Sequence, residues 1–254
     1  MRALLRAGLV FAGLCFVWQA IVTIGGLPAY ILPPPTRVFA ALIDRAGFLA
    51  SHALLTLSEI LLGMLFGVLL GSLSALTLAS FATARRWLLP VLLVSQAIPV
   101  FALAPLLVLW LGYGMASKVA AATIIIYFPV TSAFYDGLRH TERGWLDLAQ
   151  VMGATPQRAL LLLRVPAALP GFASGLRVAA AVAPIGAVIG EWVGASAGLG
   201  YVMLQANARM QIDVMFAALL VLGIMAVILY YALDAALRHL MPWLPENLPA
   251  STKE

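Results

Sequence analysis

Residues 147–166 read Asp-Leu-Ala-Gln-Val-Met-Gly-Ala-Thr-Pro-Gln-Arg-Ala-Leu-Leu-Leu-Leu-Arg-Val-Pro. The spacing predicts one helix from Trp145 to Met152, stopped at Gly153, and a second starting at Thr155-Pro156. Glycine just past a last turn, and Thr-Pro at the next start, are ordinary helix stop and start signals. Two short helices meeting at a glycine form a compact knuckle. On residues alone it reads equally as a docking element or as a surface hairpin without a partner.

Working outward, the knuckle is a polar island in an apolar chain. Of 254 residues, 63% are apolar and 10% charged. A soluble domain carries roughly 25% charged residues, so too few charges exist here to cover a water-exposed surface. The chain is therefore expected to be an all-α integral membrane protein. Crossing a bilayer takes about 20 mostly apolar residues. Six segments meet that length, roughly 7–27, 54–79, 88–111, 119–136, 172–192 and 214–237, with the knuckle inside an inner loop of about 137–170. The whole of 1–254 reads as one transmembrane domain. The first span is expected to be retained rather than cleaved, because Gly25-Gly26-Leu27-Pro28 is a poor signal-peptidase site.

Basic residues orient the spans. With the N-terminus inside, Arg2, Arg6, Arg85, Arg86, Arg139, Arg143, Arg158, Arg164, Arg177, Arg238 and Lys253 are cytoplasmic. Only Arg37, Arg45, Lys118 and Arg209 lie outside. The positive-inside rule then places both termini in the cytoplasm. The outer stretch 28–52 contains Leu32-Pro33-Pro34-Pro35 and is expected to form a short interfacial helix capped by Thr36.

Within the spans, Gly63, Gly67, Gly71, Ala75 and Ala79 recur every four residues, a ladder for close helix packing. Glu59 sits one turn before it. Two readings of Glu59 stand: a boundary carboxylate in headgroups or water, or a cavity residue that meets substrate. Gln96, Pro99 and Pro105 in the third span, and Tyr127 with Pro129 in the fourth, mark places where a path or interhelical bonding would take up polar groups. Glu191, fourteen residues after Arg177, falls about 21 Å along a helix, toward the outer end of the fifth span. It reads either as part of a gate or as a solvated helix-end carboxylate. His52, His140 and His239 are isolated in sequence and Cys15 is single, so no metal site is expected.

The 147–166 stretch resembles the "EAA" loop of permease subunits of binding-protein-dependent ABC importers. The family pattern is Glu-Ala-Ala, three residues, Gly, nine residues, Ile-x-Leu-Pro. Asp147, Leu148 and Ala149 fall on its first three positions, Gly153 on the glycine, and Leu163, Val165 and Pro166 on its end. Further runs are similar to the nitrate, sulfonate and taurine branch. They are Leu32-Pro33-Pro34-Pro35, Gln96-Ala-Ile-Pro99, Pro166-Ala-Ala-Leu-Pro170, Gly175-Leu176-Arg177, Glu191 and Gly198-Leu199-Gly200-Tyr201. The run from Ala183 to Ser196 most resembles permeases assigned to hydroxymethylpyrimidine-type thiamine precursors.

The resemblance implies a type I ABC importer permease fold in the cell inner membrane. It also implies an ATPase-coupling role for the 147–166 element, with Glu59, Gln96, Pro99, Tyr127 and Glu191 on the substrate path or gate. The implied partners are two copies of a separate ATP-binding subunit, a solute-binding protein outside and a second permease copy, with a homodimer expected. No cofactor is expected on this chain, and ATP is expected to be hydrolysed by the partner. Its nearest approach to a phosphate loop, Gly112 to Val119, lacks the second glycine and the final hydroxyl residue. A thiamine-precursor pyrimidine is the first substrate expectation and a sulfonate, taurine or nitrate the alternative. Arginine tends to stand at the Glu59 position in the sulfonate branch, and a glutamate there is expected to repel an anion. An ion-coupled secondary transporter or an intramembrane enzyme is disfavoured, since no mid-membrane charge pair or catalytic set is evident in the sequence.

Overall fold

The computed structural model describes residues 2–243, with side chains from residue 8 onward. Of the residues that entered the orientation argument, the side chains of Arg2 and Arg6 and the whole of Lys253 lie outside what is described. The regular elements among those described are helices: α1 (Arg2–Ile24), α2 (Pro35–Asp44), α3 (Ala46–Ser80), α4 (Ala82–Ser95), α5 (Val100–Leu111), α6 (Met115–Arg139), α7 (Arg143–Val151), α8 (Pro156–Ala159), α9 (Val165–Gly194), α10 (Leu199–Ala208) and α11 (Ile212–Leu240). A π-helical turn, Leu160–Arg164, joins α8 to α9 without a break.

Helix α6 runs between α3 and α9, and small residues set the spacing on both sides. A β-carbon added at Gly63 would lie 2.5 Å from Ala122 Cβ, at Gly67 2.6 Å from Ile126 Cγ2, and at Gly71 3.0 Å from Val130 Cγ1. Both residue numbers rise together, so α3 and α6 are parallel. On the other flank, Gly175 faces Ala133, Gly186 faces Ala122 and Gly190 faces Lys118, a falling register that makes α9 antiparallel to α6. Lipid offers no hydrophobic drive between helices, so backbone approach of this kind is what gives the packing contact area. Ile60, Ile126, Val130, Ala179 and Ala183 fill the seam.

Four helical stretches are long and apolar enough to cross a membrane: Ala46–Ser80, Met115–Arg139, Pro156–Gly194 and Ile212–Leu240. A fifth is the pair α4 and α5 if counted as one span. The expected third span, 88–111, is therefore not one continuous helix. It breaks over residues 96–99 and bends by 102°. Pro99 sits at ψ 126 with no amide hydrogen to give, and it disfavours helical geometry at Ile98. Helix α1 is apolar but has only Gly8–Ile24 in its described apolar part. It lies at the periphery, where Trp18 packs on Phe216 at 5.7 Å.

Two further expectations need correction. Residues 137–170 are not a long inner loop, because α6 continues to Arg139 and helix resumes at Pro156 and runs on to Gly194. The π turn precedes Pro166, whose missing N–H would otherwise leave a gap in a regular ladder. Thr36 does not cap α2; Pro34 holds the cap position and Pro35 the first helical one. Val38 and Ala41 of α2 instead bury against Leu199, Val202 and Val214.

Candidate functional site

Two constellations stand at opposite ends of the α3–α6–α9 core. One is the knuckle. Helix α7 ends at Val151 and Gly153 adopts φ +76. Ala154 N–H bonds to Ala149 carbonyl at 2.9 Å and Gly153 N–H to Gln150 carbonyl at 3.0 Å. This pair is the Schellman arrangement, and its left-handed residue is the reason glycine stands at 153. Thr155 Oγ1 then accepts Arg158 N–H at 3.3 Å and starts α8. The turn leaves a projecting apolar tip, with Leu148 60%, Met152 78% and Val151 85% exposed, and Asp147 beside them in solvent. Ala149 faces inward, and Leu163, Val165 and Pro166 lie on the π turn and the first turn of α9.

Arg164 fastens this element to the core. Its Nε donates to Leu138 carbonyl at 3.0 Å and its Nη1 to Ala79 carbonyl at 3.5 Å. Both acceptors are carbonyls in last helical turns, which lack an intrahelical donor and sit at the negative dipole ends of α6 and α3. Close by in the chain, Arg177 of α9 and Arg238 both clamp Asp234 of α11, at 2.6 and 2.8 Å.

The second constellation gathers where α3 and α6 begin and α9 ends. Glu59 is 0% exposed, Glu191 1% and Lys118 8%. Lys118 Nζ lies 3.0 Å from Glu59 Oε1. The pairing is electrostatic more than directional, since neither Glu59 oxygen receives a well-aimed hydrogen bond. Glu191 holds the start of α10. Its Oε1 accepts the Thr56 hydroxyl at 2.6 Å and its Oε2 accepts Gly200 N–H. Thr56 Oγ1 accepts Leu199 N–H at 2.8 Å, and His52 Nδ1 accepts Gly198 N–H at 2.9 Å. Three consecutive amides at a helix start, normally orphans, are thus each taken by a side chain from α3 or α9. Gly198 sits at φ +113, and a β-carbon there or at Gly200 would collide with the Glu191 carboxylate.

The five residues expected on a path or gate do not form one cluster. Glu59 and Glu191 meet in this outer group. Tyr127 donates its hydroxyl to Ser74 Oγ at 2.8 Å, a bond between α6 and α3. Gln96 and Pro99 stand exposed at the α4–α5 break. Neither solvated reading survives, because Glu59 and Glu191 are both sealed and partnered. Lys118 and Glu59 form a buried charge pair at the outer end of the helices, which the sequence did not bring together. That pair also removes the repulsion argument against an anionic substrate, since Glu59 is neutralised where it sits. His52 is not isolated either: Phe48 lies against it at 4.4 Å and Tyr201 at 6.3 Å. The clue in sequence was position, as His52, Thr56 and Glu59 extend the glycine stripe of α3 outward at helical spacing.

Residues 67–244 match the model of the binding-protein-dependent transport system inner membrane component. This chain belongs to that family. The permease is 55% identical over 240 residues to a probable ABC transporter permease protein of Haemophilus influenzae, covering 94% of this chain and 98% of the relative. It is 37% identical to the formylaminopyrimidine transport permease protein ThiX of Halalkalibacterium halodurans, over 94% and 96% of the two chains. The taurine transport system permease protein TauC of Escherichia coli is 30% identical, over 91% and 87%. Among solved structures, the inward-facing MetNI methionine ABC transporter aligns with a TM-score of 0.68 at 21% identity, over 77% of this chain and 97% of that one. The permease is thus a membrane subunit of an ABC importer.

Proposed function

We propose that two copies of this permease form a translocation path in the cell inner membrane, each as a single six-span domain with both termini in the cytoplasm. In this reading the bent pair α4–α5 and helix α1 complete the six. The knuckle, Asp147 to Pro166, docks in a cleft of a separate ATP-binding subunit, one per permease copy, and a solute-binding protein delivers substrate to the opposite face. The supporting observation is the projecting apolar tip Leu148–Val151–Met152 on a rigid Schellman turn, tied to α3 and α6 by Arg164. An apolar tip on an anchored base is what a docking helix needs, because force applied at the tip reaches the spans without loss in a hinge. ATP is hydrolysed by the partner, and this chain carries no cofactor. Glu191 and Glu59 hold the outer closure, with Gln96, Pro99 and Tyr127 nearer the path.

The substrate is a thiamine-precursor pyrimidine. This rests on the 37% identity, across nearly the full length of both chains, to a permease named for formylaminopyrimidine. The test is uptake into proteoliposomes holding the permease, its ATPase and its binding protein. Labelled formylaminopyrimidine should enter with ATP, and a thousandfold excess of taurine should not compete. Uptake of taurine in place of the pyrimidine would overturn the substrate, and uptake without any ATPase would overturn the importer.

A further inference from the structure

Beside the knuckle lies a concavity of about 530 Å³ walled by three parts of the chain. Trp145 comes from α7, Pro166 from the start of α9, and Trp243 from the segment after α11. His140, Thr141 and Glu142 complete its rim, and the knuckle tip, Leu148, Val151 and Met152, takes no part in it. The polar side chains of the rim are alike in kind. His140 Nδ1 lies 2.7 Å from the Asp136 carbonyl, which only accepts, so the neutral ring carries its proton there and Nε2 presents a lone pair. Thr141 donates its hydroxyl to the Leu138 carbonyl at 3.3 Å, which leaves its oxygen as an acceptor. Glu142 stands exposed at the start of α7 without a capping bond, and no basic side chain pairs with it among the described residues. No lysine or arginine lines the concavity, and apart from the two indole N–H groups every polar side chain on it accepts.

Trp145 and Trp243 are 52% and 62% exposed. Two bare indoles in one concavity offer electron-rich faces that attract cations and stack on planar rings. The volume lies within the range of about 300–1,000 Å³ typical of sites for whole organic ligands, so the guest is a molecule of one or two rings rather than one side chain of another protein. A carboxylate on the rim repels phosphate, which sets nucleotides and phospholipid headgroups aside.

We propose that this pocket binds a flat heteroaromatic cation carrying an amino group. The ring lies against the indoles, the amino group donates to the His140 and Glu142 acceptors, and the carboxylate answers the charge. Such a guest touches α7, the start of α9 and the chain beyond α11 at once. It therefore ties the knuckle to the body and slows the movement that the ATP-binding subunit drives. That slowing rests on the importer reading above, whereas the binding does not. An aminopyrimidine protonated or alkylated on its ring has this chemistry, so the pocket responds to the imported compound, or to a product that keeps its ring, on the knuckle side of the membrane.

The binding test uses the full-length permease alone in nanodiscs, with labelled thiamine as the probe, because it joins an aminopyrimidine to a permanently cationic ring. Equilibrium dialysis should find one saturable site per chain. The double variant Trp145→Leu/Trp243→Leu should weaken it at least tenfold and Glu142→Gln at least threefold. Trp145→Phe/Trp243→Phe, which keeps both ring faces, should stay within about threefold of wild type, which separates loss of the aromatic walls from loss of fold. Thiamine diphosphate should bind at least tenfold more weakly than thiamine. Absence of saturable binding, or binding that the leucine pair leaves within twofold, would overturn the site. If the leucine pair also loses the ATP-binding subunit on co-purification, the pocket belongs to the subunit contact and the proposal falls. In proteoliposomes holding the whole transporter, thiamine sealed on the knuckle side should slow uptake at least twofold in the wild type and leave the leucine pair unaffected. Unchanged uptake in the wild type would overturn the hold on the knuckle. No uptake under any condition, with binding intact, would show that the importer reading has failed and the pocket has not.

Discussion

Thr56 and Glu191, 135 positions apart in the chain, share a buried hydrogen bond of 2.6 Å that locks the start of α10 to α3 and α9. The Thr56 oxygen simultaneously accepts Leu199 N–H, so one hydroxyl serves both a carboxylate and a helix start. Replacing Glu191 with alanine leaves Gly200 N–H buried without an acceptor and the Thr56 hydroxyl with only its 3.2 Å contact to the His52 carbonyl. An orphaned buried donor costs about 1–3 kcal/mol. Glu191→Ala should lower the thermal midpoint of the purified permease by several degrees. Glu191→Gln, which keeps one acceptor oxygen, should lose about half as much. Equal losses would show that the acceptor oxygens do not matter.

The Glu59–Lys118 pair should behave as a unit. Removing one partner leaves a buried charge uncompensated, at about 3–5 kcal/mol, while replacing both with apolar residues of similar volume is often neutral. Glu59→Leu and Lys118→Met should each destabilise strongly, and the double variant should recover most of the loss. Additive losses measured by thermal unfolding would contradict the pairing.

Gly67 should tolerate nothing larger. Alanine there places its β-carbon 2.6 Å from Ile126 Cγ2, and overpacking of this kind costs about 1–3 kcal/mol. Gly223, in α11, has nothing within 4 Å of an added β-carbon, so Gly223→Ala should be neutral or slightly stabilising. Comparing the two variants by monodispersity and thermal midpoint checks the α3–α6 contact independently of any function.

Met210 is the one described non-glycine residue at positive φ, 56°. It closes α10 through Gln211 N–H to Ala206 carbonyl and Met210 N–H to Asn207 carbonyl, the same geometry Gly153 adopts. Its side chain is exposed, so Met210→Gly relieves strain without opening a cavity. The expected gain is about 1 kcal/mol, read as a rise in thermal midpoint. A fall would mean the methionine makes a contact that outweighs the strain.

Much of this architecture is written in local patterns. The glycine ladder of α3 names the face that meets α6, and Gly153 between two short helices marks the knuckle to within a residue. Apolar runs locate the crossing helices, although their ends slip where helices outrun the apolar stretch, as the continuous stretch Pro156–Gly194 does at its start. What was hidden depends on contacts between distant residues. Lys118 looks like an outer loop charge until α3 and α6 are seen to run parallel and bring Glu59 beside it. His52 looks solitary because its partner is the backbone of Gly198, 146 positions away. The break at residues 96–99 was signalled by Pro99, yet a proline inside a span is as compatible with a mild bend as with 102°. Arg164 was legible only as a positive charge, since its acceptors are backbone carbonyls that no side-chain pattern records.

The most direct measurement is co-purification of the permease with its ATP-binding subunit, wild type against Gly153→Val. Valine at φ +76 is strained, and with no atom within 4 Å of its β-carbon the damage is confined to the turn geometry. The variant should reach the membrane and unfold near the wild-type temperature, yet fail to retain the ATPase or to couple its hydrolysis to uptake. Retention of the ATPase with uptake unchanged would contradict the assignment of the knuckle as the docking element.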